Sequence, residues 1–129
     1  MPGRSVTASS LLAIALSLVA LTPAVAASPI GARKCQSRDL RYPFSAGGPK
    51  TFGAFRLRIA SGRCATAHKV AKDWMTRFEA KLHAGQASPP RSVDGFSFAN
   101  LPVRAAQTYR ERGRRRTTTI WFDYVVPNG

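Results

Sequence analysis

One stretch of the chain decides its fold: residues 63–83 read RCATAHKVAKDWMTRFEAKLH. Apolar side chains recur through this stretch at intervals of three and four residues, while basic and polar side chains fill most of the other positions. The apolar set is Cys64, Ala67, Val70, Ala71, Trp74, Met75, Phe78 and Leu82. Such a period is typical of an amphipathic helix with one buried face, and it predicts that Trp74 and Phe78 are core residues.

The ends of this helix are marked by residues that interrupt helical structure. Ser61 is a suitable N-cap, because a serine hydroxyl can accept a hydrogen bond from a free amide of the first turn. Gly85 suits the C-terminal end, and Pro89 and Pro90 require a linker after it. We therefore predict a helix of about twenty residues that starts just after Ser61.

Strand patterns lie on both sides of the helix. Residues 55–59 alternate apolar with basic side chains, as in a strand with one buried and one wet face. Residues 96–98 alternate again over a shorter stretch. Residues 107–110 and 117–126 flank a basic segment, which predicts a β-hairpin with Gly113 in its turn. The order strand–helix–strand–hairpin predicts the α+β class, with one amphipathic helix packed on a small antiparallel sheet.

Residues 1–26 have the composition of a cleavable secretory signal peptide. Arg4 supplies positive charge, residues 11–21 form an apolar run, and Ala24–Ala26 offers the small side chains that signal peptidase accepts. Those eleven residues rise about 16 Å as a helix, roughly half the hydrocarbon thickness of a bilayer, so an anchor is disfavoured. A single arginine favours the general secretory (Sec) route over the twin-arginine route. We expect a secreted or envelope protein with no transmembrane segment after cleavage.

The remainder, residues 27–129, has a length that suits a single small domain. Residues 27–53 are rich in glycine, proline and charge, which predicts a loop-rich N-terminal segment. The full chain has 20 lysines and arginines against six acids, and the predicted cleavage removes only Arg4 among them. The mature domain therefore carries 19 basic and six acidic residues, a net charge of +13.

Two cysteines, Cys35 and Cys64, are present in the chain. In an exported protein an even count indicates a disulfide, and two cysteines allow only one pairing. The pair lacks the spacing of metal ligands, and no base can be assigned to a nucleophilic thiol. We therefore predict a structural disulfide that joins the N-terminal segment to the start of the helix.

Three motifs together resemble a known group of proteins. RCATAHKVAKDW at residues 63–74 is an alanine-rich helix opened by a cysteine, and GFSF at residues 95–98 is a Gly-aromatic strand. YRERG at residues 109–113 begins a basic hairpin that continues to Phe122. This arrangement is similar to that of many small exported proteins of actinobacteria, and the similarity covers roughly residues 55–124. The resemblance implies export, a disulfide and the α+β fold, but no chemical activity.

The titratable residues show no catalytic pattern. The carboxylates are Asp39, Asp73, Glu79, Asp94, Glu111 and Asp123. Asp73 and Glu79 fall on or near the polar side of the predicted helix, and Asp123 either faces solvent or pairs with an arginine. His68 and His83 would lie about 22 Å apart along that helix, too far to share a metal. We predict no enzyme, no cofactor and no metal site.

A cluster of arginines is the main candidate for a binding site. Five of them lie within seven residues: Arg110, Arg112, Arg114, Arg115 and Arg116. Such a cluster makes a compact positive field, and guanidinium groups pair with phosphates and carboxylates. We predict binding to an anionic cell-envelope polymer or membrane surface, and export makes intracellular nucleic acid an unexpected partner. A solvated turn in an arginine-rich chain is the simpler explanation and stays open.

The alternative function is an exported protein–protein interaction or inhibitor-like module. A small scaffold stabilised by a disulfide fits that role. Trp121 would be the anchor of such an interface if it faced outward, because aromatic residues dominate interface energetics. Packing within the sheet is the competing interpretation of Trp121.

Overall fold

The computed structural model describes Gly3 and residues 31–127, so that the predicted signal peptide, residues 1–26, lies outside the described residues apart from Gly3. One helix packs on a seven-stranded antiparallel sheet. The strands are β1 (Arg33–Lys34), β2 (Arg41–Pro43), β3 (Lys50–Ala60), β4 (Ser92–Val93), β5 (Phe96–Leu101), β6 (Thr108–Arg115) and β7 (Thr118–Val125). The helix is α1 (Cys64–His83), and a 3-10 turn spans Arg38–Leu40. The predicted α+β class is confirmed.

Four longer strands form the body of the sheet in the order β3–β7–β6–β5. The two-residue strands β1 and β4 lie at the two ends of the sheet order, and β2 pairs with the first half of β3. Arg58 of β3 and Arg112 of β6 both lie opposite Trp121 of β7. This register decides which side chains share a face, because successive residues of a strand point to opposite sides.

The core lies between α1 and one face of the sheet. Trp74 and Phe78 are fully buried, which confirms the prediction from their spacing. The ring centroid of Trp74 lies 5.1 Å from that of Phe122 and 5.3 Å from that of Tyr124, both on β7. Burial of each such side chain stabilises the fold by about 1.5–3 kcal/mol, so these contacts fix the helix on the sheet.

The start of the helix differs from the prediction that Ser61 is its N-cap. The helix begins at Cys64, with Arg63 as the N-cap and no side-chain capping hydrogen bond. Ser61 has a φ of +56° and belongs to the turn between β3 and α1, where its carbonyl accepts a hydrogen bond from Thr118 Oγ1 at 2.7 Å. The C-terminal end agrees with the sequence, because Gly85 adopts a φ of +78°.

The hairpin forms as predicted, but Gly113 is not in its turn. The turn lies at residues 116–117, where Arg116 takes a φ of +54°. Gly113 lies inside β6, opposite Ile120 of β7 and Phe98 of β5. A Cβ atom at Gly113 would lie 2.6 Å from the Phe98 ring. The glycine is therefore required for close packing of an aromatic ring rather than for chain reversal.

The N-terminal segment is more ordered than the loop-rich composition of residues 27–53 predicted. Its described part contains β1, the 3-10 turn, β2 and the first residues of β3. Cys35 and Cys64 form the predicted disulfide, with Cα atoms 5.3 Å apart. The bond connects the residue after β1 to the first residue of α1. It holds the edge of the sheet against the start of the helix.

Candidate functional site

The face of the sheet that is turned away from α1 is called the open face here. It is the face opposite the buried residues Ile120, Phe122 and Tyr124 of β7. On the four longer strands, strand alternation and register assign to it Gly53, Phe55, Arg58, Ala60, Ser97, Ala99, Leu101, Thr108, Arg110, Arg112, Arg114, Thr119, Trp121, Asp123 and Val125. The register therefore places four arginines and one acid on this surface, and Arg56, at the irregularity of β3 between Phe55 and Arg58, also reaches its acid.

A row of three side chains crosses the middle of the open face. Arg58, Trp121 and Arg112 occupy directly opposed positions on β3, β7 and β6. Side chains at such positions have Cβ atoms about 4.5–5.5 Å apart and are in contact range. All three are half-buried, and the Nε atoms of Arg58 and Arg112 are buried without a hydrogen-bond partner among the described residues. Because these Nε atoms are buried, a ligand would meet the terminal amino groups of the two guanidinium groups.

Asp123 is the acid of the open face, and its carboxylate is held by arginine. Arg110 donates two hydrogen bonds to it, from Nε at 2.9 Å and from the terminal NH2 group at 3.1 Å. Of the two expectations for Asp123, pairing with an arginine is therefore confirmed. The hydrogen bond to Asp123 raises the pKa of the Arg110 guanidinium above its usual, already high value. Arg56, whose side chain is 72% exposed, approaches the same carboxylate at 4.0 Å and adds a second cation beside it.

A second arginine–aromatic contact lies where β2 meets β3. The guanidinium of Arg41 lies 4.5 Å from the centroid of the Phe55 ring, within the range of a cation–π interaction. Its Nε donates to the carbonyl of Ala54 at 3.2 Å, and its NH2 group donates to Ser37 Oγ at 3.2 Å. These bonds fix Arg41, and its charge extends the positive surface toward β2.

The structure separates the five arginines that the sequence grouped. Arg110, Arg112 and Arg114 lie on the open face. Arg115 points to the other side, where its guanidinium stacks 4.4 Å from the Phe96 ring centroid and donates to the carbonyl of Asp94 at 3.1 Å. Arg116 is exposed in the turn. Arg115 and Arg116 line a separate cleft of about 440 Å³.

Three members of the site were not grouped with the arginine cluster of the hairpin by sequence reasoning: Arg56, Arg58 and Trp121. The alternation of residues 55–59 showed that β3 has a basic face, and residues 120–122 place Trp121 between two apolar neighbours. Neither pattern shows that β3 and β6 lie on opposite sides of β7. The pairing register was the missing information, and it is set by contacts between residues distant in sequence.

A histidine and a carboxylate form a pair on the surface, outside the open face. His68 Nε2 and Asp39 Oδ2 lie 2.6 Å apart on the surface, and this hydrogen bond holds the pKa of Asp39 below its usual value. Within residues 31–127 there is no group of three or more His, Cys, Asp or Glu side chains arranged to hold a metal ion. In that part of the chain no helix is both long and apolar enough to cross a membrane.

Glu111, which lies in the hairpin, is 1% exposed on the helix side of β6. Its Oε1 has no hydrogen-bond partner among the described residues. Burial raises the pKa of this carboxyl to about 8, so the group is largely protonated at neutral pH. Glu111 lies beside a cleft of about 390 Å³ whose other walls include Pro89 and Pro90.

Comparison with known protein families, curated proteins and solved structures finds no match to this chain.

Proposed function

We propose that the protein binds anionic polymers through the open face of its sheet. The observation that carries this proposal is the row of Arg58, Trp121 and Arg112 across three adjacent strands. Arg110 and Arg114 flank Arg112 along β6, and the acid on the face, Asp123, is paired with Arg110. The surface thus combines an excess of guanidinium groups with an aromatic ring at its centre.

The spacing of these cations suits a repetitive ligand. Arg110, Arg112 and Arg114 follow one another at every second residue of β6, which places them about 6.7 Å apart along the strand. Arg58 continues the array two strands away, about 9–10 Å across the sheet. An extended chain with regularly repeated phosphate, sulfate or carboxylate groups can meet several of these guanidinium groups at once. Trp121 provides a flat apolar surface for the rings between the anionic groups.

The polymers that are available depend on where the protein works. The predicted signal peptide supports export, and the Cys35–Cys64 disulfide fits an oxidising compartment. Envelope polymers, anionic lipid headgroups, released nucleic acid and acidic glycans are the polyanions found there. Intracellular nucleic acid is not a partner in this proposal.

Heparin-affinity chromatography with two matched double variants tests the proposal. Arg58→Gln/Arg112→Gln removes two charges from the open face, whereas Arg38→Gln/Arg63→Gln removes two exposed charges close to the start of α1. We expect the first variant to elute at clearly lower salt than wild type and the control to shift much less. With a duplex DNA probe, the slope of log affinity against log salt should fall by up to about 1.8 for the open-face variant.

Two outcomes of this experiment contradict the proposal. Equal shifts for the two double variants mean that heparin responds to net charge alone. Unchanged elution of the open-face variant means that Arg58 and Arg112 do not contribute to heparin binding. Far-ultraviolet circular dichroism and thermal unfolding of each variant confirm that any shift is not caused by loss of the fold.

Trp121 also supports the second candidate function, an exported protein–protein interaction or inhibitor-like module. The ring lies at the centre of the open face, as an anchor of a protein–protein interface would. A partner held by Trp121 should resist salt, whereas a polyanion should be released by it. A salt-tolerant complex that is lost in Trp121→Ala would favour an exported interaction or inhibitor-like module over polyanion binding.

A further inference from the structure

A second concave site lies on the other side of the sheet, where α1 ends. It is a cleft of about 630 Å³, within the range of small-molecule sites, and we call it the α1-end cleft. Its lining comes from β2, from the last turns of α1 and from β7 with the residues that follow it. This position separates it from every arginine of the open face.

Three polar side chains converge in the cleft. Tyr42 and Tyr124 each place a hydroxyl within hydrogen-bond distance of Glu79 Oε1, at 3.1 and 3.0 Å, and the two hydroxyls are 3.2 Å apart. Burial raises the pKa of both phenols, and the adjacent Glu79 adds to this effect. The phenols therefore remain protonated and can donate to the carboxylate. Both hydroxyls converge on Oε1, which leaves Oε2 of Glu79 available to accept hydrogen bonds from a ligand.

The walls of the cleft are apolar and carry no strong cation. Leu82, Val126 and Pro127 form the apolar part, and His83 lies among the lining residues. The chain contains 20 lysines and arginines, yet none lines this cleft within residues 31–127. A carboxylate beside an apolar wall, without a resident cation to neutralise it, favours a ligand that supplies the positive charge itself.

We propose that the α1-end cleft binds a small primary amine carried on an apolar body. The ammonium group donates hydrogen bonds to Glu79, and its apolar body packs against Leu82 and Val126. An ammonium has three donors and matches a carboxylate acceptor, and such charged hydrogen bonds are stronger than neutral ones. The high net charge of the protein does not prevent binding at physiological salt, because exposed charges beyond about 8 Å are largely screened. This site is independent of the open face and of its polyanion.

Nuclear magnetic resonance titration with three related probes tests this assignment on the folded, oxidised domain. The probes are 2-phenylethylamine, neutral 2-phenylethanol and anionic 3-phenylpropionate. We expect the amine to shift the backbone amide signals of Leu82, His83 and Val126, with a Kd in the millimolar range or tighter. The alcohol should bind at least about tenfold more weakly, because it lacks the charge, and the carboxylate should not bind.

Two variants and a matched control complete the test. Glu79→Gln retains an oxygen acceptor for the tyrosines but loses the charge, and it should weaken amine binding by about tenfold or more. Asp73→Asn removes a carboxylate from the same helix outside the cleft, and amine binding should be unchanged. If Glu79→Gln fails to fold, Val126→Lys places a cation in the wall and should abolish amine binding while heparin affinity is retained.

Several results overturn the assignment. These are absence of shifts at saturating amine, equal binding of amine and alcohol, and equal amine affinity in Glu79→Gln and wild type. Shifts centred away from the cleft overturn it as well. None of these results bears on the open face, whose heparin affinity is measured separately.

Discussion

At the scale of single residues, Glu111 is unusual because glutamate side chains are normally exposed to water, whereas this one is buried. A carboxyl in the core must either ionise without water or remain protonated, and burial raises its pKa to about 8, which favours the protonated form at neutral pH. The folded state therefore binds more protons than the unfolded state between the usual pKa of 4.5 and about 8. Stability falls as pH rises through this interval, and the full cost is present above it.

Replacing Glu111 with glutamine should remove this pH dependence. We expect Glu111→Gln to be more stable than wild type at about pH 9 by a few kcal/mol, because each pKa unit corresponds to about 1.4 kcal/mol. Near pH 4 the difference should nearly vanish, since the wild-type carboxyl is then largely protonated in both states. Urea unfolding at the two pH values measures the difference. A constant difference across pH would show that the carboxyl is not titrating with this shift.

Gly113 illustrates what sequence reasoning misses at this scale. Its place in an arginine-rich hairpin resembles a turn glycine, but its packing partner is Phe98 on another strand, which no local pattern identifies. A Cβ at 2.6 Å from the ring forces a displacement. We expect Gly113→Ala to destabilise the domain by about 1–3 kcal/mol in thermal or urea unfolding.

A double variant identifies the cause of that loss. Phe98→Leu removes the ring, so adding Gly113→Ala to it should cost much less than adding it to wild type. Equal costs in the two backgrounds would mean that Gly113 is needed for backbone conformation rather than for space.

At the scale of elements, α1 could be predicted almost completely and the short strands could not. A helix of this length repeats its apolar period several times within one segment, so its position and its buried face follow from local sequence. β1 and β4 have two residues each, which is too short for a pattern. Their existence depends on pairing with β3 and β5. The open face was missed for the same reason, because it depends on which strands are neighbours.

The disulfide connects two of these elements, and its loss should be measurable. The bond between Cys35 and Cys64 closes a loop with a sequence separation of 29. In the chain-entropy treatment, a loop of this length corresponds to roughly 3–4 kcal/mol of stability. We expect the Cys35→Ala/Cys64→Ala variant to lose about this amount in urea unfolding, and chemically reduced wild type to behave similarly. Unchanged stability would mean that the bond does not restrict the unfolded chain as the entropy treatment requires.

At the scale of the whole molecule, the open face and the α1-end cleft differ in charge. The open face has four arginines around Trp121 and an acid that is already paired, while the α1-end cleft has Glu79 and no lysine or arginine in its described lining. The composition shows that the domain is strongly basic, but it does not show that the open face and the α1-end cleft differ in charge. A polyanion that responded only to net charge would bind without regard to this difference, whereas a polyanion with a defined site would bind the open face.

The most direct test of the open face is a heparin tetrasaccharide titration monitored by nuclear magnetic resonance at physiological salt. We expect the largest shifts at the backbone amides of Arg58 and Arg112 and at the indole N–H of Trp121. Shifts of the α1-end cleft should be small. Shifts confined to the turn at residues 115–118, or spread evenly over all exposed basic residues, would contradict the assignment of polyanion binding to this face.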